Sequence, residues 1–125
     1  MLYEYKARLL RVVDGDTVDL DVDLGFDTHA YTRFRLKGIN APEKNSPVQS
    51  IRVAAYDAMH YLEGLLIGWL LVKTYKDKED KYGRWLCEIY KYDSSVSDRN
   101  FAMSINGEMI KAGHAVPYDG GKREL

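Results

Sequence analysis

Three short stretches of this chain carry side chains whose types and spacing could do chemistry together. Asp14-Gly15-Asp16-Thr17 places two carboxylates on one tight turn. The segment from Arg35 to Glu43, Arg-Leu-Lys-Gly-Ile-Asn-Ala-Pro-Glu, supplies a guanidinium, the amide oxygen of Asn40 and a carboxylate. Asp80-Lys81-Tyr82-Gly83-Arg84 adds a second guanidinium. Clustered oxygen donors suit a hard cation. A carboxylate can accept a proton, and planar guanidinium forks match phosphate oxygens. Taken together, this is equipment for hydrolysing a phosphodiester. Each stretch also has a plain reading. Asp and Gly favour turns on backbone grounds, Arg35 could simply point outward from a strand beside Arg33, and Gly83-Arg84 could be a hairpin turn and a strand-edge arginine.

In order and internal spacing the three stretches resemble the thermonuclease family, the staphylococcal-nuclease-like OB-folds, over roughly residues 4–118. The resemblance implies Ca²⁺ as cofactor and cleavage of DNA and RNA on the 5′ side of the phosphodiester, leaving 3′-phosphate ends. It implies that Asp16 ligates the metal, with Asp14 just outside, and that Arg35, Glu43 and Arg84 are catalytic. By the same resemblance Lys81 and Tyr82 contact a terminal phosphate, and Tyr118 lies near a tyrosine that packs against the base. Two positions depart from the family. Asn40 stands where the family usually has Asp, keeping an oxygen but withholding a charge, which lowers expected calcium affinity. Ala41 stands where the best-known members have Thr, a position that offers its backbone carbonyl to the metal. The departure at Asn40 leaves a second reading, a nucleic-acid-binding OB module with weak or lost catalysis. A third is a protein–protein adaptor.

The elements that must position these residues follow from patterning. Residues 4–13 alternate loosely and end in an apolar run, a first strand. Val18, Leu20, Val22 and Leu24 alternate with Asp19, Asp21 and Asp23, which predicts a strand apolar on one face and solvated on the other. An EF-hand is excluded there: the sixth loop position is Leu24 and the twelfth Ala30. Tyr31 to Leu36 resumes strand, and Ile39 to Ser46 reads as loop. Ser46-Pro47-Val48-Gln49 predicts a helix start, with Ser46 as cap, Pro47 first in the helix and Gln49 reaching back. Ile51, Ala54, Ala55, Ala58, Met59, Leu62, Leu65 and Leu66 recur at helical spacing up to Gly68. Trp69 to Tyr75 and Arg84 to Tyr92 read as strands around a polar turn. Ser104 to Ala112 predicts a second helix closed by Gly113. Three strands, a helix, two strands and a helix make a mostly β, α+β chain. That order fits a five-stranded OB barrel with a helix between strands three and four and another at the C-terminus.

Composition sets bounds. The 125 residues are 46% apolar and 30% charged, a globular composition, and the expectation is one domain over residues 1–125. A single cysteine, Cys87, excludes an intramolecular disulfide framework. The N-terminus has no apolar core of secretory type, and the longest apolar stretch, Leu65 to Val72, is too short to span a bilayer. The protein is therefore expected to be intracellular, off the membrane and monomeric. The terminal Lys-Arg-Glu-Leu is read as a chance likeness to a retention tail. A net charge of −1, from 18 basic and 19 acidic residues, gives only weak support to a nucleic-acid binder and lowers expected non-specific affinity, while leaving room for a small, locally positive cleft around a few arginines. His29, His60 and His114 lack ligand spacing, so zinc is not expected. The 10 tyrosines could stack bases, though amphipathic surface and core positions account for most.

Overall fold

The computed structural model describes residues 3–76, 84–92 and 100–118. Strands β1 (Tyr3–Asp14), β2 (Thr17–Asp23) and β3 (His29–Leu36) form an antiparallel meander. Strands β5 (Leu70–Lys76) and β6 (Trp85–Lys91) form a second antiparallel pair. β1 is long enough to pair with β2 over Lys6–Asp14 and with β5 over Tyr3–Ala7, and register shifts after Leu9 and Val12 bend it between the two. β3 closes on β6 in parallel, giving a closed barrel of order β1-β2-β3-β6-β5. This is the five-stranded, mostly β architecture with two helices that the strand order implied.

The alternation in β2 sets the core. Val18, Leu20 and Val22 are buried inside, joined by Phe34, Leu36, Leu70, Val72, Cys87 and Ile89 from the other strands. Burying each such aliphatic side chain contributes about 1.5–3 kcal/mol. Burial also pushes the Cys87 thiol far up, so it stays protonated. Helix α1 (Gln49–Leu65) adds Ala58 and Leu62 to this core, and Leu66 follows at its end. Its buried face is narrower than the periodicity suggested, because Ile51 and Ala54 are exposed. The helix also begins later than expected. Ser46 Oγ does accept the Val48 N–H at 3.1 Å, but Val48 remains extended (φ −88°, ψ 119°) and is itself the N-cap, with no side-chain cap bond. The Ser46 carbonyl is taken by Arg52 Nη1 at 2.8 Å instead, so the serine ends a turn rather than starting a helix.

Helix α2 (Ile105–Lys111) keeps its local rules. Ser104 caps it by accepting the Gly107 N–H at 3.0 Å. Gly113 ends it at φ +82°, its N–H on the Ile110 carbonyl and that of His114 on Met109. Asn106, fully buried, donates to the carbonyls of Lys37 and Cys87 at 2.9 Å each and accepts the Ile89 N–H at 3.0 Å. It fastens α2 to β6 and to the turn after β3. Two two-residue strands inside expected loop, β4 (Ile39–Asn40) and β7 (Val116–Pro117), pair antiparallel beside that turn. No helix among the described residues is long and apolar enough to cross a membrane.

Candidate functional site

The turn between β1 and β2 is held from below. A Cβ added at Gly15 would lie 2.7 Å from Ala41 Cβ and 2.9 Å from Ala58 Cβ. Only glycine lets the Asp-Gly-Asp turn settle between α1 and the loop after β4. Asp16 is then fixed by two partners distant in sequence and by its neighbour Thr17. Its Oδ2 accepts the Ala41 N–H at 3.0 Å, its Oδ1 accepts the Thr17 hydroxyl at 3.1 Å, and its carbonyl accepts the Leu36 N–H at 2.8 Å.

Arg35 leaves β3 on the same side. Its Nη2 donates to Asn40 Oδ1 and stands 3.9 Å from Asp16 Oδ2. The guanidinium carbon lies 4.8 Å from the centre of the Tyr118 ring, and the side chain is only 14% exposed. Tyr118 is held there by its own N–H on the Gly38 carbonyl at 2.8 Å and by the β4–β7 pairing just before it. A fork gripped along one edge and stacked on an aromatic face keeps one orientation.

Asp14, Asp16, Arg35, Asn40, Ala41, Glu43, Arg84 and Tyr118 all line one cleft of about 520 Å³. Eight of the ten residues singled out from the sequence therefore converge; Lys81 and Tyr82 lie outside the described residues. Glu43 and Arg84 sit at exposed positions on its rim. Sequence reasoning missed Lys44 and Asn45, which also line the cleft. Lys44 Nζ donates to the Val13 carbonyl at 2.7 Å and lies 3.6 Å from Asp14 Oδ1. Their only signal in the sequence was adjacency to Glu43.

The cleft brings three carboxylates, Asp14, Asp16 and Glu43, together with three cations, Arg35, Lys44 and Arg84. Burial holds the Asp14 carboxyl above the usual range; Lys44 opposes this, while Asp16 and Glu43 nearby push the same way as burial. The donors are all oxygen, the chemistry of a hard ion. Among the described residues no cluster of three or more His, Cys, Asp or Glu stands at metal-holding distance. The side-chain oxygens nearest such an ion would be those of Asp16 and Asn40, and the Asn40 oxygen already accepts from Arg35.

The sequence model of the family described as staphylococcal nuclease homologue matches residues 33–124. The chain belongs to that family. The matched segment of this staphylococcal nuclease homologue carries Arg35, Asn40, Glu43, Arg84 and Tyr118, while Asp14 and Asp16 precede it and reach the cleft through the fold. The chain is 27% identical over 133 aligned positions to an uncharacterized protein of Methanocaldococcus jannaschii, covering 91% of this chain and 59% of that one. It is 30% identical over 115 positions to protein ParB of Escherichia coli, covering 92% of this chain and 58% of ParB. The chain thus spans a little under three fifths of the length of the curated relatives it matches.

Proposed function

We propose that this protein is a calcium-dependent nuclease that hydrolyses phosphodiester bonds of DNA or RNA with little regard for sequence. The observation that carries the reading is the convergence of Arg35, Arg84, Glu43 and Asp16 on one cleft. Glu43 orients a water and takes its proton as the oxygen attacks phosphorus. Arg35, held between Asn40, Asp16 and Tyr118, donates to the phosphate oxygens that gain charge, and Arg84 does so from the position just before β6. The bond from phosphorus to the 5′-oxygen breaks, that oxygen takes up a proton from solvent, and a 3′-phosphate remains. Asp16 and Asn40, with Asp14 behind them, would hold calcium, which would supply Lewis-acid polarisation of the phosphate. Contacts to phosphate alone carry no base information, hence the tolerance of sequence.

One observation favours a second reading, a binding module with feeble chemistry. The Asn40 oxygen already accepts from Arg35 and brings no charge of its own. Incubation of plasmid DNA and single-stranded RNA with the protein, in calcium and then in EDTA, separates the two. Cleavage in calcium that stops in EDTA is the expected result. Binding without cleavage under either condition establishes the module instead.

A further inference from the structure

β3 and β6 are joined by only three residue pairs, Phe34–Trp85, Arg35–Leu86 and Leu36–Cys87. The first half of β3, from His29 to Arg33, pairs with β2 but takes no part in that ladder. A hollow of about 210 Å³ lies there, lined among others by Tyr5, Thr32, Phe34, Thr74 and Trp85. It adjoins the cleft through the same two strand segments. Phe34 lines the hollow and Arg35 the cleft; Trp85 lines the hollow and Arg84 the cleft. Alternation along β3 accounts for the division between Phe34 and Arg35, while Arg84 precedes the first residue of β6.

Trp85 is 41% exposed, a large apolar ring left in solvent beside an arginine of the cleft. Lys76, its cross-strand partner, holds Nζ 4.8 Å from the ring centre. That pair alone singles out nothing, because Lys6 lies over Trp69 in the same way at 4.2 Å. Position makes the difference. Trp69 lines neither the cleft nor the hollow, whereas Trp85 lines the hollow and directly follows Arg84 of the cleft in the chain. An exposed indole with a lysine at its side, one residue from a phosphate-facing arginine, has the two parts of a single-strand site. These are a face for a base and a charge for the backbone.

We propose that Trp85 is a stacking platform for an unpaired base of a single-stranded nucleic acid whose phosphate lies at Arg84, with Lys76 serving the neighbouring phosphate. The proposal rests on the reading of the cleft as a phosphodiester site. It is tested by fluorescence in EDTA, so that the oligonucleotide stays whole. In a Trp69→Phe background Trp85 is the sole tryptophan. Titration with an oligodeoxythymidylate quenches it saturably. Anisotropy of the labelled oligonucleotide gives the affinity independently. Trp85→Leu, which keeps apolar volume and removes the ring face, weakens binding about 5- to 150-fold, as expected for loss of one base stack. Trp85→Phe retains most of the affinity, and thermal unfolding followed by circular dichroism verifies that each variant is folded. Lys76→Gln lowers the salt dependence of binding by about one unit of slope. Binding without quenching, or equal affinity in folded Trp85→Leu, overturns the platform. So does absence of any binding. Calcium-dependent cleavage by the same preparations reports on the nuclease reading separately: cleavage with no quenching sinks only the platform, and quenching with no cleavage sinks only the nuclease.

Discussion

Two acidic regions of this molecule use the same residue types to opposite ends. On the outer face of β1–β3, Asp19 receives Arg33 at 2.8 and 3.2 Å and has Arg11 Nε at 3.7 Å. Asp21 receives Arg8 Nε at 3.1 Å and has His29 Nδ1 at 2.8 Å. The expected solvated strand face carries an ion-pair network whose cationic partners stay in solvent, with Asp21 alone, at 3% exposed, buried beneath them. The Arg33 hydrogen bond holds the Asp19 carboxyl below its usual range. For Asp21, burial pulls upward, but hydrogen bonds from His29 and Arg8 together win and the carboxyl is also held low. In the cleft the balance differs. Burial raises Asp14 although Lys44 Nζ lies 3.6 Å away, and Asp16 leans on a backbone N–H and a hydroxyl with Arg35 at 3.9 Å. Ion pairs on the outer face hold strands together; in the concave site burial works against the charged form of a carboxylate.

The largest expected effect breaks the cleft side alone. Glu43→Gln keeps shape and removes the base, so turnover falls about 10²–10⁴-fold while circular dichroism is unchanged. Near-normal cleavage by the folded variant would return Glu43 to ordinary loop charge. Arg35→Lys and Arg84→Lys follow, each costing about 10²–10³-fold in kcat, because an ammonium cannot reproduce the planar fork. If Arg33→Lys, on the outer face, cost as much, the contrast between the regions would fail.

Asn40 sharpens the comparison further. Asn40→Asp adds one negative charge to the cleft and is expected to tighten calcium binding and shift cleavage to lower calcium. Asn40→Ala deletes the oxygen and falls below the natural protein. Calorimetric titration of the three proteins gives the order; equal affinities for Asn and Asp would place residue 40 off the metal.

The smallest effects are opposite in sign. A carboxyl whose folded pKa is depressed contributes stability above its unfolded pKa, about 3.9, and loses it as pH falls through the folded value. Asp21→Asn is therefore expected to lower the Tm at pH 7, with the deficit shrinking in acid. A raised carboxyl works the other way, destabilising the fold once pH exceeds the unfolded pKa. Asp14→Asn is expected to raise the Tm by a few degrees at most at pH 7, with the gain vanishing in acid. Thermal melts in metal-free buffer from pH 3 to 7 check both signs.

Helix α2 was legible to within a residue at each end, with Gly113 as its stop, because that glycine acts within one turn of backbone; Ser104 emerged as its cap from the structure. Strand β2 was legible too, since its alternation needs nothing but its own sequence. Helix α1 was legible in its later turns but not in its start, where the Ser46 carbonyl accepts from Arg52 and Val48 stays extended as the N-cap. Residue types and register picked out Asp16, Arg35, Asn40, Glu43 and Arg84, and eight of the ten chosen residues line one cleft. No local pattern could announce that Gly15 must fit between Ala41 and Ala58, or that Ala41 binds Asp16 across 25 positions of chain. Nor could one show that β4 and β7 pair over two residues to bring Tyr118 onto Arg35. The same holds for which carboxylates meet which cations. The sequence by itself determined the donors, the strands and the order in which they come. Tertiary structure decided which charges meet, because hydrogen bonds and ion pairs act over a few ångströms while their partners lie tens of residues apart.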